Sequence, residues 1–359
     1  MTGTGGLPVN FRATDNPLGV RRVLQPAGAL PQAAQQLDPA LPAYRDEIVL
    51  DVQTLNIDAA SFVQLESVAA AGGPDVAAQI HAIVAARGKM QNPVTGSGGM
   101  LLGRVAQKGP DYAGPLAAAQ VGDGVATLVS LTLTPLQLHE IVRIDPHAHQ
   151  VHVRATAILP SSAPAALVPD DLPPPLVLAV LDVCGAPAQV ARMVHNLPQN
   201  GHLLCIGAGK AGTLALAAAR ETRPDLRLWA IDRYDKPLQE VHAAGLCDGY
   251  AALDASDALA VRAAVLRWTD GKLCDAVVQM ASLPNTEMAA ILACRSRGVC
   301  LYFSMATSFA QVALGAEGVG ADVDLLIGNG YLQDHAQMAL DLVRRQAATR
   351  MLLARRLGL

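Results

Sequence analysis

The stretch that decides the fold is Gly207-Ala208-Gly209-Lys210-Ala211-Gly212, which follows the apolar run His202–Ile206 and precedes the alanine-rich run Thr213–Arg220. In this strand–loop–helix context the first glycine permits a tight turn, the second lets the backbone approach a pyrophosphate, and the third allows close packing of helix on strand. The phosphates would lie at the helix N-terminus, where unpaired N–H groups point. The pattern predicts that all six loop residues bind a dinucleotide; a glycine turn that binds nothing is the alternative.

An acidic residue about 20 residues farther along the chain is the second part of this pattern. Asp232 meets the requirement just after the predicted strand Leu226–Ile231. A carboxylate there accepts hydrogen bonds from both ribose hydroxyls and repels a 2′-phosphate, which favours NAD over NADP. The neighbouring Arg233 weakens that preference, so NADP is the less favoured cofactor rather than an excluded one. Both residues are candidates for cofactor binding.

Strands and helices alternate along the second half of the chain, which is typical of an α/β fold with a doubly wound parallel sheet. The predicted elements are Leu176–Val194, Pro237–Ala244, Gly249–Leu253, Ser256–Thr269, Ala276–Met280, Thr286–Cys294 and Val299–Ser304. The chain closes with one amphipathic helix, Asp334–Leu357. Its arginines lie off the apolar face and indicate a solvated surface: Arg344, Arg345, Arg350, Arg355 and Arg356.

The first half of the chain has the alternation of apolar and polar residues that is typical of half-buried strands. Strands are predicted at Glu47–Leu55, Gly99–Val105 and Gly124–Ser130, and helices at Ala59–Val68 and Asp75–Ala86. We therefore expect a barrel-like β unit that a helical insertion interrupts.

The proline-rich segment Pro160–Pro175 separates the two halves, since prolines cannot continue regular structure. We expect a substrate-binding and catalytic domain at residues 1–163 and a dinucleotide-binding domain at residues 164–330. A C-terminal helical segment at residues 331–359 is expected to pack back on the first domain.

Composition and charge argue against several classes of partner. The chain has 359 residues, of which 51% are hydrophobic, and a formal net charge of −4. An acidic protein is not attracted to nucleic acid or to an anionic membrane surface. No apolar run approaches the ~20 residues of a membrane span, and residues 1–15 lack a signal-peptide pattern. The six cysteines are scattered, which favours reduced thiols and a cytoplasmic protein.

A Rossmann domain that follows a β-rich domain is the order found in the medium-chain dehydrogenases. Val121–Val125 (VGDGV) resembles their G-D-x-V turn, Gly98–Val105 occupies the place of their G-H-E-x-x-G-x-V segment, and Thr54–Asp58 (TLNID) resembles the stretch with the first zinc ligand. The resemblance covers nearly the whole chain and implies a GroES-like first domain. By analogy it also implies a homodimer through the edge of the Rossmann sheet.

The same resemblance locates the positions of a catalytic zinc, which needs Cys, His or carboxylate ligands. Asn56 stands where the first ligand would be, and Gly99 stands where a histidine would be. Cys184 matches the third position but is expected to be a small buried residue. The histidines of the HAHQVH stretch are expected to face solvent: His147, His149 and His152. The chain is therefore interpreted as a zinc-free oxidoreductase.

Longer blocks of the chain are more specific than the glycine loop. They are Asp51–Phe62, Gly88–Leu102, Ala126–Pro135, Val180–Gln189, Pro284–Ala289, Tyr302–Phe309, Ala313–Gly320 and Ile327–Tyr331. These blocks resemble the L-erythro-3,5-diaminohexanoate dehydrogenase family. The resemblance implies NAD-dependent oxidation of the substrate's 3-amino group in lysine fermentation, with release of ammonia and 5-amino-3-oxohexanoate. The glycine loop is one residue shorter than is often found in that family, which affects phosphate contacts more than substrate choice.

The implied reaction needs a base for the amine and partners for a zwitterionic substrate. Lys89 is a candidate to pair the carboxylate or, if desolvated, to act as the base; a solvated loop lysine is the alternative. Asp58 is a candidate to hold the amine or activate water, unless it only caps the following helix. Glu287 is a candidate to pair the C5 ammonium, unless it too only caps a helix. These three are the candidate catalytic residues.

Three more residues are candidates for substrate binding. Asn56 lies at a predicted strand end, and Ser304 and Thr307 lie where side chains commonly meet the nicotinamide end of a Rossmann site. The other polar residues considered receive no catalytic role: Ser61, His81, Glu317 and Asn329.

Two other functions are compatible with the sequence. A zinc-free quinone or enoyl reductase would need the cofactor loop but no base for an amine. A non-catalytic NAD(H) sensor would need neither Lys89, Asp58 nor Glu287. The presence of those three residues makes the sensor the least favoured.

Overall fold

The computed structural model describes residues 11–14, 16–128 and 131–359. The chain divides between Asp171 and Leu172 into two compact units. Each unit has its own sheet and its own apolar core. The expectation that residues 1–15 lack a signal-peptide pattern concerns residues that lie mostly outside these ranges. The last two residues of the predicted strand Gly124–Ser130, 129–130, also lie outside them.

The first unit is built on an antiparallel sheet. Its strands are β1 (Val23–Gln25), β2 (Gln36–Leu37), β3 (Glu47–Asn56), β4 (Met100–Lys108), β5 (Gly124–Thr127), β6 (Leu136–Asp145), β7 (Gln150–Pro160) and β8 (Ala165–Leu167). Its helices are α1 (Ala59–Ala70) and α2 (Val76–Arg87), with 3-10 turns at Val20–Arg22 and Leu131–Leu133. The main sheet has the order β6-β7-β3-β4-β5-β8, with antiparallel neighbours throughout.

Local sequence explains most of these elements. β3 buries its apolar residues and exposes Asp51 between them, as the alternating pattern predicts. Helices α1 and α2 begin at Asp58 and Asp75, whose carboxylates accept hydrogen bonds from backbone N–H groups in the first turn. The antiparallel sheet with inserted helices is confirmed. Strands β6 and β7 were not predicted: β6 buries only its first residue, whereas β7 alternates buried and less buried residues over most of its length.

A buried ion pair ties the segment before β3 to the sheet. Arg22 and Glu47 are each 1% exposed, and the guanidinium donates to both carboxylate oxygens, at 3.0 and 2.7 Å. The same guanidinium donates to the carbonyl oxygen of Ala40 at 2.6 Å. Because an unpaired buried charge is very costly, this bidentate pair fixes the course of the chain between the two residues.

The second unit is a doubly wound parallel sheet. Its strands are β9 (His202–Ile206), β10 (Arg227–Asp232), β11 (Gly249–Ala252), β12 (Cys274–Gln279), β13 (Cys294–Tyr302) and β14 (Asp324–Ile327). Its helices are α3 (Pro174–Leu181), α4 (Gly185–Val194), α5 (Lys210–Thr222), α6 (Asp235–Ala243), α7 (Ala258–Trp268), α8 (Glu287–Ala293), α9 (Phe309–Gly318), α10 (His335–Arg345) and α11 (Ala347–Arg356). The strand order is β11-β10-β9-β12-β13-β14, with every neighbouring pair parallel.

This strand order confirms the predicted Rossmann fold. The order reverses between β9 and β12, and in such sheets the ligand binds in the crevice at the carboxyl ends of these two strands. The glycine loop follows β9 directly, so it lies at that crevice. The sheet has one strand more than predicted, because β14 is a short edge strand whose residues are mostly exposed.

Two predicted long helices are pairs of shorter ones. The run Leu176–Val194 is divided into α3 and α4, whose axes differ by 53°. The run Asp334–Leu357 is broken at Gln346, whose side chain donates to the Ala217 carbonyl oxygen at 3.1 Å. Among the described residues no single helix is long and apolar enough to span a membrane. The bent α3–α4 pair meets the length and composition limits, as buried core helices often do.

The C-terminal helices belong to the second unit. Arg345 of α10 pairs with Glu221 of α5 at 2.6 Å, and Arg356 of α11 pairs with Glu240 of α6 at 2.7 Å. These ion pairs, together with buried apolar residues on α10, hold the segment on α5 and α6. The expectation that this segment packs back on the first domain stays a prediction.

Candidate functional site

The glycine loop has the three properties that a dinucleotide loop needs. Gly207 has a left-handed φ of 98°, and a Cβ on it would lie 2.7 Å from the Ala281 nitrogen. A Cβ on Gly212 would lie 1.8 Å from the Gly207 carbonyl oxygen, so only glycine lets α5 pack this closely. A Cβ on Gly209 would meet no described atom within 4 Å. The space beside Gly209, at the N-terminus of α5, is open, as the approach of a pyrophosphate to a loop of this kind requires.

Asp232 connects the loop to strand β10. One carboxylate oxygen accepts from the Ala208 nitrogen at 2.9 Å and the other from the Tyr234 nitrogen at 3.0 Å. Each oxygen has a second lone pair, so the half-buried carboxylate can still accept from ribose hydroxyls. Arg233 is exposed and pairs with Asp254 at 3.6 Å.

The other predicted loop residues differ in exposure. Ala208 is buried and Ala211 is half-buried, so neither offers a side chain to a ligand. Lys210 is exposed at the start of α5, and its Nζ pairs with a carboxylate oxygen of Asp182 at 2.6 Å. Its ammonium is therefore held by Asp182, at the C-terminal end of α3.

Two residues that the sequence analysis missed also hold this loop. Nη1 of Arg356 donates to the carbonyl oxygen of Ala208 at 3.0 Å and to Oγ1 of Thr213 at 3.1 Å. The Arg356 side chain is only 20% exposed, which corrects the prediction of a solvated arginine face for this residue. No motif could have indicated it, because its partners are remote in sequence.

Polar side chains gather at the carboxyl ends of β12 and β13. Glu287 is buried, and its Oε1 accepts from the Ser308 nitrogen at 2.8 Å, so it ties α8 to the loop after β13. Ser304 lies in that loop and its Oγ accepts from a nearby backbone N–H. Oγ1 of Thr307 and Oε1 of Gln279 are buried and have no hydrogen-bond partner among the described residues. Since buried polar atoms are nearly always paired, these two can accept a ligand group.

The N-terminus of α1 forms a second polar site, in the first unit. Oδ1 of Asp58 accepts from the Ser61 nitrogen at 2.9 Å, while Oδ2 is buried without a hydrogen-bond partner in the described part of the chain. A Cβ on Gly99 would lie 2.0 Å from the Asn56 carbonyl oxygen and 2.8 Å from the Asp58 nitrogen. Oδ1 of Asn56 accepts from Gln150 at 3.4 Å. The structure thus brings Asn56 and Asp58 together and leaves one carboxylate oxygen available.

Lys89 is fully buried elsewhere in the first unit. Its Nζ donates to the carbonyl oxygens of Pro31, Gln32 and Thr132 at 2.9, 3.3 and 2.7 Å. Burial, with a smaller contribution from the charge of Arg87, lowers the pKa of Lys89 to about 8. All three ammonium protons are in use. The side chain is therefore neither the solvated loop lysine of the alternative nor open to a substrate within this unit.

Of the positions considered for metal binding, Asn56 and Gly99 lie side by side in the first unit, and Cys184 belongs to the second. No group of three or more His, Cys, Asp or Glu side chains suited to a metal occurs in the described parts of the chain. His147 is exposed, but His149 stacks on an aromatic ring and His152 is half-buried and hydrogen bonded, so only the first faces solvent as expected. Burial raises the pKa of Cys184 to about 12, which is typical of a packing residue.

Two of the family-like blocks pack on each other. Nε2 of Gln189 donates to Oδ1 of Asn329 at 3.1 Å. A Cβ on Gly185 would lie 2.3 Å from the Gly330 carbonyl oxygen, so the start of α4 approaches the loop after β14 closely. These contacts give Asn329 a structural role. The remaining residues without a role lie exposed on helices: His81 and Glu317.

Solved structures share this fold at low sequence identity. A mycobacterial quinone oxidoreductase has a TM-score of 0.55 and 16% identity, over 91% of this chain and 93% of its own. An alcohol dehydrogenase from Thermus sp. ATN1 has a TM-score of 0.54 and 17% identity over the same shares. At this identity the likeness supports the medium-chain dehydrogenase fold alone.

Closer relatives are found by sequence. The model of the L-erythro-3,5-diaminohexanoate dehydrogenase N-terminal domain matches residues 21–169. The L-erythro-3,5-diaminohexanoate dehydrogenase of Fusobacterium nucleatum is 44% identical over 92% of this chain and 96% of its own length. That of Acetoanaerobium sticklandii is 42% identical over the same shares. The chain therefore belongs to the family of L-erythro-3,5-diaminohexanoate dehydrogenases.

Proposed function

We propose that this chain oxidatively deaminates L-erythro-3,5-diaminohexanoate to 5-amino-3-oxohexanoate and ammonia, with hydride transfer to NAD, as a step of lysine fermentation. The observation that carries the proposal is 44% identity, over 92% of the chain, to a dehydrogenase named for this substrate. A reductase acting on quinones or enones is supported only by fold likeness at 16% identity. A sensor is not favoured by relatives that are named as dehydrogenases.

The reaction converts the C3 amine, NAD⁺ and water into a ketone, ammonia, NADH and a proton. When it is bound, the nicotinamide ring supplies the hydride acceptor. The chain's own tasks are to hold the dinucleotide, to take a proton from the amine, and to bind the charged ends of the substrate. The residues of the second unit suit the first task, and Asp58 of the first unit suits the second.

The preference for NAD over NADP rests on Asp232. Its carboxylate is fixed by the backbone N–H groups of Ala208 and Tyr234, so it cannot turn away from a 2′-phosphate. Arg233 is engaged by Asp254, which weakens its attraction for that phosphate. We therefore propose NAD as the working cofactor.

Asp58 is the proposed residue that holds the reacting amine and accepts its proton. Its Oδ2 is buried and unpartnered, and an ammonium group is the ligand that such an oxygen prefers. Lys89 is proposed to anchor its loop, since carbonyl oxygens occupy its ammonium. Glu287 is proposed to fix the loop that carries Ser304 and Thr307, since its carboxylate accepts a backbone N–H from that loop.

The activity can be tested by following reduced nicotinamide and ammonia with 3,5-diaminohexanoate and either NAD⁺ or NADP⁺, before and after a chelator. We expect stoichiometric NADH and ammonia, a clear preference for NAD⁺, and no effect of the chelator, because we propose zinc-free chemistry. Absence of turnover with this substrate, together with reduction of quinones or enones, would replace the proposal by the reductase function.

Asp58→Asn tests the role of the carboxylate with little change to the fold. Asparagine caps helices as well as aspartate does, so α1 should be kept while the proton acceptor is lost. We expect kcat/KM to fall by about 100-fold or more. Asp75→Asn is the matched control, because Asp75 caps α2 in the same way and is exposed. Equal losses in the two variants would remove Asp58 from the mechanism.

The oligomeric state and the cellular compartment of the enzyme remain proposals. A homodimer through β14 is supported by the exposed residues Leu326 and Ile327 on that edge strand, which pairs only with β13 among the described strands. Sedimentation velocity should give twice the chain mass. A reducing cytoplasm is supported by the six cysteines, all of which are free buried thiols.

A further inference from the structure

The side chain of Arg356, in helix α11, contacts the glycine loop. Nη1 of Arg356 donates to the Ala208 carbonyl oxygen at 3.0 Å and to Oγ1 of Thr213 at 3.1 Å. Nη2 donates to the Pro237 carbonyl oxygen at 3.3 Å, and Nε pairs with the Glu240 carboxylate at 2.7 Å. One guanidinium therefore joins the glycine loop, α5 and α6.

These contacts hold the two peptide units on either side of Ala208. The N–H of Ala208 is held by the carboxylate of Asp232 at 2.9 Å, and its carbonyl oxygen by Arg356 and Thr213. In a planar trans peptide the C=O and the next N–H point in opposite directions. Holding the Ala208 carbonyl therefore turns the N–H of Gly209 away from Arg356. Gly209 is the loop residue that faces open space.

We propose that Arg356 is a positioning residue for the dinucleotide. It orients the Ala208–Gly209 peptide so that the N–H of Gly209 faces the pyrophosphate, and it fixes α6, which begins three residues after the ribose-binding Asp232. The inference rests on the proposed function only in taking a dinucleotide as the ligand of this loop. Arg356 contacts the backbone of the loop and of α6, and not the reacting atoms. We therefore expect it to affect the affinity for the cofactor and not the chemical step.

The competing explanation is that Arg356 merely fastens the C-terminal helices. Arg345 separates the two explanations. It also joins the C-terminal segment to the body of the unit through one ion pair, with Glu221 at 2.6 Å, but it makes no contact with the glycine loop. Arg345→Met is thus a control that removes the same charge and one tether of the C-terminal segment, although its side chain is more exposed than that of Arg356.

The experiment compares the parent protein with Arg356→Met, Arg356→Lys and Arg345→Met. NADH and ADP affinities are measured by equilibrium titration, KM for NAD⁺ and kcat by turnover, and Tm by thermal unfolding. We expect Arg356→Met to weaken NADH and ADP binding by about tenfold and to raise KM for NAD⁺ by the same factor. At saturating NAD⁺, kcat should stay within about twofold of the parent value. The contact stabilises the bound cofactor equally in the ground state and in the transition state, so its loss changes KM and not kcat.

The second variant keeps the test informative if Arg356→Met folds poorly. Lysine retains the charge opposite Glu240 but lacks the planar fork, so Arg356→Lys should give an intermediate affinity. Arg345→Met should bind both ligands as the parent does, even if its Tm falls.

Three results would overturn the inference. They are unchanged NADH affinity in both Arg356 variants, an equal loss of affinity in Arg345→Met, and a parent protein that binds no NADH. A parent that binds NADH but does not oxidise diaminohexanoate would overturn the proposed function and leave the role of Arg356 standing.

Discussion

Two glycine-rich loops of this chain carry one lysine each, and the structure uses them in opposite ways. In the loop 207–212 Lys210 is exposed and pairs with one carboxylate. In the loop 88–99 Lys89 is fully buried and donates to three backbone carbonyl oxygens. Lys210 therefore belongs to a loop that is open at Gly209. The side chain of Lys89, in contrast, occupies the interior of the first unit.

A contrast of the same kind holds between individual glycines of the two loops. A Cβ on Gly209 would meet no described atom within 4 Å. A Cβ on Gly88, Gly98 or Gly99 would lie between 2.0 and 2.2 Å from a backbone oxygen. Three of the four glycines in the second loop therefore serve close packing of chain segments, as Gly207 and Gly212 do in the first loop, while Gly96 and Gly209 are open. A glycine-rich loop with a lysine is thus no evidence of phosphate binding until the space around each glycine is known.

The largest expected effect comes from filling the packed loop. Gly99→Ala would force a Cβ against the Asn56 carbonyl at a left-handed φ of 100°, and should lower the free energy of unfolding by about 4 kcal/mol or more. Gly96→Ala is the control in the same loop, since its φ of 71° is also left-handed but its surroundings are open. It should cost about 1 kcal/mol. Urea unfolding of both variants would measure the difference, and similar losses would contradict the packing role.

The two lysines provide the next comparison. Lys89→Met leaves two buried carbonyl oxygens and one partly buried one without their donor, which should lower the free energy of unfolding by about 3 kcal/mol at neutral pH. Lys210→Met removes an exposed ion pair, and should cost less than about 1 kcal/mol. A small effect at Lys89 would mean that water replaces the ammonium.

The pH dependence sharpens the same test. The pKa of Lys89 is lowered from 10.5 to about 8 in the folded chain, so between these values the unfolded chain binds more protons than the folded one. The parent should therefore gain stability relative to Lys89→Met as pH rises above 8, by at most about 1.4 kcal/mol per pH unit. Below pH 8 both states hold the proton, and the difference between the proteins should be constant. A flat difference from pH 8 to 10 would show that the three carbonyls keep the ammonium charged.

A feature of this protein could be predicted from the sequence when the residues that form it are close together along the chain. Strand β9, the glycine loop and Asp232 were predicted because a contiguous motif defines them. The buried partners of Lys89 lie 43 to 58 residues away, and Ala208 lies 148 residues from Arg356. Periodicity within a segment contains no information about such pairs. The same holds for Arg22 and Glu47, whose ion pair joins segments 25 residues apart.

The smallest expected effect on stability is at the open loop, where Gly209→Ala should change the free energy of unfolding by no more than about 0.5 kcal/mol. Gly209 has φ −70° and ψ −161°, which alanine adopts without strain, and the new methyl group meets no described atom. The methyl would, however, enter the space that we propose for the pyrophosphate. NADH affinity should therefore fall by about tenfold while Tm is kept, the reverse of the result expected for Gly99→Ala. If Gly209→Ala bound NADH as tightly as the parent, the open space would not be the phosphate site, and the contrast between the two loops would lose its functional meaning.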